Sequence, residues 1–196
     1  MRADSPVRTL AGLRGRRVAV GERLSGTLLT VSRTLAAAGV DLAGVEVSHA
    51  VLADALAALA TRRVDAVCFV SGFPIRPIAD FAVGTPVRVL DLGALVPSLV
   101  AEHGAQYVAG PLPASPYRLP AAVQTVSVKT HLVASPALSD DLAAGVASVI
   151  FDEQERIARL VPDVRQPTAA AGIFTEPLPL HPGALAYFRR RDRAGS

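Results

Sequence analysis

Short β-branched runs alternate with helical stretches through the first half of the chain. RVAVG (17–21), VEVSH (45–49), VDAVCFV (64–70) and PVRVLDL (86–92) each have the length and composition of a strand. Between the second and third, Val51, Leu52, Ala55, Leu56 and Leu59 fall on one face of a 3.6-residue period and predict a helix. Pro77 is placed to open another over IADFA. Strand-helix repetition at these separations predicts an α/β fold whose mostly parallel sheet is covered on both faces. From Gly104 to Pro120 the texture changes: four prolines in seventeen residues exclude a central strand or a long helix and predict a loop. VQTVSVKTHLVAS (123–135) returns to strand-like alternation. Ser139, Asp140 and Asp141 then supply an N-cap and an acidic first turn for a helix expected to reach about Val161, with Pro162 stopping it. A last short helix opens near Pro182.

Composition adds a real core and removes several functions. Of 196 residues, 51% are hydrophobic, enough for one ordinary domain or two small lobes with a packed interior. The net charge of +3 carries little meaning, because every basic residue but Lys129 is arginine, as GC-rich coding produces, and the arginines are scattered. Nucleic-acid binders gather basic residues on one face and interleave aromatics, so no nucleic-acid partner is expected. Arg189, Arg190 and Arg191 read as a frayed, solvated end. Cys68, the lone cysteine, sits in VDAVCFV as a small core hydrophobe. His49, His103, His131 and His181 stand far apart without ligand spacing, so neither a metal nor any other cofactor is expected. No segment approaches the ~20 apolar residues of a membrane helix. The first 17 residues carry arginines and no apolar signal core, so the chain as written would stay in the cytoplasm.

The turn after the first strand, GERLSGT (21–27), is the first candidate for chemistry. Gly21 and Gly26 have the spacing of a phosphate loop, but Thr27 stands where that loop needs its lysine. The dinucleotide fingerprint is absent, and Ser25 lacks the preceding glycine of a nucleophile elbow. No paired acid and base emerges, so the chain is not read as an enzyme. Ser25, Gly26 and Thr27 do sit at a helix start, where free N–H groups, the helix dipole and two hydroxyls suit a carboxylate. A plain N-cap accounts for the same residues. Open α/β sheets bind ligands beyond the carboxyl ends of their strands, and this turn and a second one, Ser71, Gly72, Phe73 and Pro74, share that edge. Phe73 either lies against a ligand or packs in the core.

LAGLRGRRVAVGERLSGTLLTVSRTLAAAGVD, VDAVCFVSGFPIRPIADFA and the closing PLPLHPGALAYFR resemble the second half of TAXI-type solute-binding proteins of the tripartite TRAP transporters. The resemblance covers almost the whole chain. It implies a clamshell of the type II periplasmic-binding-protein kind that captures a small organic acid or amino acid, such as glutamate, and delivers it to a TRAP membrane permease. Residues 15–122 would be the second ligand-binding lobe, and 123–196 the return segment that completes the first. Ser25, Gly26 and Thr27 match the family's cleft-facing G-S-G-T turn, and Ser71, Gly72, Phe73 and Pro74 its second turn. Tyr107 and Tyr117 match aromatic positions in the loop crossing the hinge and complete the expected ligand-binding set. Leu24 replaces the family's first glycine, which is expected to narrow the anion pocket, and SPY (115–117) replaces GTY.

The resemblance also implies a periplasmic protein with a signal peptide and half of the first lobe ahead of this segment. On that expectation the chain is truncated and its half-site binds weakly. The return segment would then self-associate, pack on the remaining lobe or expose apolar surface. The other functional class left open is a cytoplasmic small-ligand sensor or interaction module built on the same lobe.

Overall fold

A computed structural model describes residues 1–72, 74–161 and 166–194. The chain divides into two compact units, Met1–Lys129 and Thr130–Ser196.

The first unit is built on a parallel sheet. Strand β1 (Arg17–Ala19) leads into helix α1 (Gly26–Ala37), β2 (Glu46–Ser48) into α2 (Leu52–Ala60), and β3 (Ala66–Val67) into α3 (Arg76–Gly84). The strand order is β2-β1-β3, with Val18 opposite Val47 on one side and Ala66 on the other. Alternation along β1 explains the layering, since successive side chains point to opposite faces. Val18 and Val20 pack with Val31 and Leu35 of α1, while Ala19 packs with Ala55 and Leu59 of α2 and with Phe81 of α3. Val18 and Ala19 of β1 and Val20 just beyond it are all buried, as a strand covered on both faces requires. Cys68 lies against the first of these clusters, and the apolar surroundings push its thiol up to about 11.

The end of β1 nearest the amino terminus is closed by charge. Asp65 accepts from the Arg17 backbone N–H (3.0 Å) and from both arms of its guanidinium (3.1 and 3.0 Å), joining the starts of β1 and β3. Hydrogen bonding from that guanidinium holds the Asp65 carboxyl below the usual carboxylate range.

Two expectations for this unit are corrected. PVRVLDL does not extend the sheet; only Val87 is bridged, antiparallel to Arg2. The N-terminal segment takes the backbone groups of this run instead: Ala3 N–H donates to the Pro86 carbonyl, and Arg88 N–H to that of Met1. The Arg88 guanidinium adds bonds to the carbonyls of Ala3, Ser5 and Val7. The proline-rich stretch, in turn, is only partly loop. After α4 (Val96–His103), Tyr107–Leu112 forms β4, antiparallel to β5 (Val123–Val128). A two-stranded ribbon has an outer side on every strand, so Pro111, which lacks an N–H, is accommodated there.

The second unit is helical. Ser139 caps α5 (Asp140–Asp152) by accepting from Leu142 N–H, as the sequence predicts, but the helix stops before Val161. Glu153 leaves the helical region (ψ 24°) and α6 (Gln154–Leu160) begins anew. Pro162 lies outside the described residues. A short α7 (Ala169–Ile173) precedes α8 (Pro182–Ala194), which packs Tyr187 and Phe188 against Ala147 and Phe151. The LHPGALAYF run is thereby explained as packing. A side chain at Gly183 would overlap the Asp140 backbone, so only glycine permits this approach of α8 to α5. Arg191, expected to be frayed, bonds to Asp152, the Phe151 carbonyl and the Tyr187 hydroxyl.

Candidate functional site

The parallel strands point their carboxyl ends at one edge, and the two turns singled out by the sequence meet there. Ser25 is the N-cap of α1, its Oγ accepting from Leu28 N–H at 3.1 Å. That bond uses an acceptor lone pair and leaves the hydroxyl proton to donate elsewhere, so capping and anion binding draw on different halves of one group. Thr27 is buried, and its Oγ1 accepts from Val70 N–H at 3.3 Å, tying the start of α1 to the chain leaving β3.

Three glycines at this edge have different roles. Gly21 has φ +81°, and a Cβ there would lie 2.9 Å from Thr27 Cβ and Cγ2 and 3.2 Å from Ser25 Oγ. The fold requires glycine at that position. Gly26 and Gly72 have ordinary φ, and a Cβ on either would meet nothing within 4 Å. Packing therefore does not explain the glycine at 26 or 72. Both are exposed, so the backbone at these positions is accessible from outside the chain.

The second turn is held from behind. Ser71 and Gly72 are exposed, and Pro74 is half-buried. Phe73 lies outside the described residues. Ile75 N–H, at the turn's far end, donates to the Tyr117 hydroxyl at 2.8 Å. Tyr117 is only 2% exposed, at the end of a 3₁₀ turn spanning Ser115–Tyr117. Tyr107, also 2% exposed, accepts from the Arg33 guanidinium of α1 at 3.0 Å. Both tyrosines hold elements in place behind the edge and are not part of its open surface.

His49 joins the edge without a prediction pointing to it as a binding residue. It follows β2 directly, and its Nδ1 lies 3.0 Å from the Gly21 carbonyl. A carbonyl only accepts, so Nδ1 carries a proton. The signal in the sequence is position: His49 ends VEVSH at the same strand edge as GERLSGT, which metal-ligand spacing does not test. Around these polar groups Leu24, Leu29, Val51, Phe69 and Val70 are exposed. No group of His, Cys, Asp and Glu among the described residues has the arrangement of a metal site. Nor is any described helix long and apolar enough to cross a membrane.

The chain matches the NMT1-like family over residues 1–191. Among solved structures it is similar to the periplasmic aliphatic sulphonate binding protein of Escherichia coli, with 20% identity, a TM-score of 0.50, and 96% of this chain covering 52% of that one. The alkanesulfonate-binding protein of Xanthomonas axonopodis pv. citri, in a complex with MOPS, aligns at 16% identity and TM-score 0.40 over 96% of this chain and 53% of its own. The chain thus spans about half the length of these proteins. The first likeness confirms the expected fold class, mixed α/β with a parallel sheet and similar to a periplasmic-binding-protein fold. With the match running from residue 1 to residue 191 over a fold of this kind, the chain belongs to the NMT1-like family.

Proposed function

We propose that the chain captures a small organic anion at the carboxyl edge of its parallel sheet and hands it on unaltered, as the solute-binding part of an uptake system. Ser25, Gly26 and Thr27 form one side of the site, and Ser71, Gly72, Phe73 and Pro74 the other. Tyr107 and Tyr117 support it. In this reading residues 15–122 are a ligand-binding lobe and 123–196 the return segment of its counterpart. The protein works in the periplasm with a membrane permease, which the resemblance of the GERLSGT and LHPGALAYFR stretches assigns to the TRAP type and its TAXI class. The single observation that carries the anion reading is the pair of glycines, 26 and 72, which the packing does not require and which leave open backbone at converging turns.

The ligand head is a carboxylate, as in glutamate or 2-oxoglutarate. Sulfonate is a second reading, favoured by the aliphatic sulphonate named for the E. coli protein of similar fold. Ligand-observed NMR sensitive to millimolar affinity, run over both panels, separates the two. Gly26→Ala is the decisive variant: it should bind at least tenfold more weakly while melting no lower than the parent. Equal affinity of parent and Gly26→Ala for every acid would remove the site from this turn.

A further inference from the structure

Helix α5 is apolar on two sides, and one of them is left uncovered by the described residues. On the covered side, Ala147 and Phe151 pack against Tyr187 and Phe188 of α8. On the opposite side Leu142, Val146 and Val149 are 59%, 40% and 53% exposed, and the helical period places them in one stripe with the exposed Gly145. A helix that is hydrophobic all round belongs in an interior. The other helix of this pair has the usual pattern, with Arg189, Arg190 and Arg193 exposed along α8. In α5 charge is confined to the ends, at Asp140, Asp141 and Asp152.

The second unit has little else to hold it. Its core among the described residues is Ala147, Tyr187 and Phe188 with their partly buried neighbours, while Leu132, Val133, Leu160 and Phe174 are exposed besides the stripe. So small a unit is marginal without further burial. Gly145 is a separate observation: it stands in mid-helix, where glycine is unfavourable, and a Cβ there would meet nothing within 4 Å. What a glycine in an apolar stripe allows is a shorter distance to a helix packed on it.

The stripe is its own complement. About a two-fold axis between Gly145 and Val146, an antiparallel second copy sets Leu142 against the partner's Val149 and Gly145 against the partner's Val146, with the same contacts in reverse. Parallel pairing would bring the acidic first turns, Asp140 and Asp141, side by side. Antiparallel pairing holds those turns about 20 Å apart, the length of the helix. The carboxylates at the other end, Asp152 and Glu153, are already paired with Arg191 and Arg156.

We propose that a second copy of this chain covers α5, the two helices packing antiparallel through Leu142, Gly145, Val146 and Val149. The stripe offers on the order of a few hundred Å² per copy, less than the ~800 Å² per partner of a standard interface, so the dimer is a weak one with micromolar affinity. This inference does not depend on the anion reading.

Sedimentation equilibrium of the full chain, from micromolar concentration upward, tests it. The parent should approach twice the monomer mass as concentration rises. Val146→Lys should raise the dissociation constant about tenfold or more. Gly145→Leu should do the same, because it holds the backbones apart while making the stripe more apolar; an unspecific sticky surface would associate more tightly in this variant. Both positions are exposed, so neither variant should melt below the parent in dilute solution. Cross-linking reads the register: in a Cys68→Ala background under mild oxidation, Val146→Cys should form a disulfide-linked dimer and Val149→Cys should not, since the two Val149 positions of the pair lie about 10 Å apart along the helix. A parent that stays monomeric overturns the proposal. So does tighter or unchanged association in Gly145→Leu, unchanged association in Val146→Lys, or a Val149→Cys chain that cross-links to itself.

Discussion

The two ends of β1 solve opposite problems. At its start, Arg17 and Asp65 satisfy one another with a bidentate ion pair and a backbone bond. Beyond its carboxyl end, Gly21, Ser25, Thr27 and His49 are held by single hydrogen bonds and, among the described residues, no ion pair, with bare backbone at Gly26 and exposed leucines beside it. Chemistry that consumes its own charges leaves nothing for a ligand. An edge that contains a helix N-terminus keeps backbone donors available. Charge pairing and open backbone are thus separated along a strand of three residues, the arrangement expected where ligands meet the carboxyl ends of parallel strands.

Substitutions that sharpen this contrast differ in size. The largest effect belongs to Gly21→Ala, which combines a left-handed φ with overlap onto Thr27; it should cost about 3 kcal/mol in urea unfolding. A loss below about 1 kcal/mol would show that the edge yields easily and is not organised around Gly21. Next comes Thr27→Val, close in shape but without an acceptor for Val70 N–H. Its expected cost is about 1 to 2 kcal/mol, with faster amide exchange at Val70 than elsewhere in the sheet. Unchanged exchange at Val70 would mean that the two turns are not joined through Thr27.

Asp65→Asn tests the opposite edge and should cost about 1 kcal/mol near neutral pH, discounted for partial exposure. The pH dependence has a definite sign. The folded-state pKa of Asp65 lies below its unfolded value, so its contribution is complete above about 4 and is lost as pH falls through the lower folded-state value. The difference between parent and Asp65→Asn should therefore shrink only in acid, and a difference that grows there would contradict the assignment. The smallest effect has the other sign: Gly26→Ala replaces an unhindered glycine in the first turn of α1 and should raise stability by about 0.5 kcal/mol. A marked loss of stability would show that the glycine serves the fold, and would move the open-backbone argument away from residue 26.

Much of this was legible along the chain. Ser25 and Ser139 cap helices as read, because a cap involves a side chain and a backbone N–H three residues on, a distance visible in sequence. Pro77 stands in the first turn of α3 for a similarly local reason. RVAVG, VEVSH and VDAVCFV all contain strands, since their apolar runs suit a sheet covered on both faces. PVRVLDL has the same composition and pairs at Val87 alone, because pairing depends on which neighbour reaches an edge, and the N-terminal segment reaches this one.

The amino-acid sequence by itself determined the α/β class, the starts of α1, α2, α3, α5 and α8, and the positions of two turns after β1 and β3, all of which follow from periodicity and from contacts within a few residues. Tertiary structure alone decided that Thr27 joins those turns through Val70, that Tyr117 bonds to Ile75 across 42 positions, and that Gly21 is obligatory while Gly26 is free. It also placed His49 beside Gly21. Residue types carry their own conformational preferences, but whether a hydroxyl is spent on the fold or left for a ligand depends on the group that packing brings opposite it.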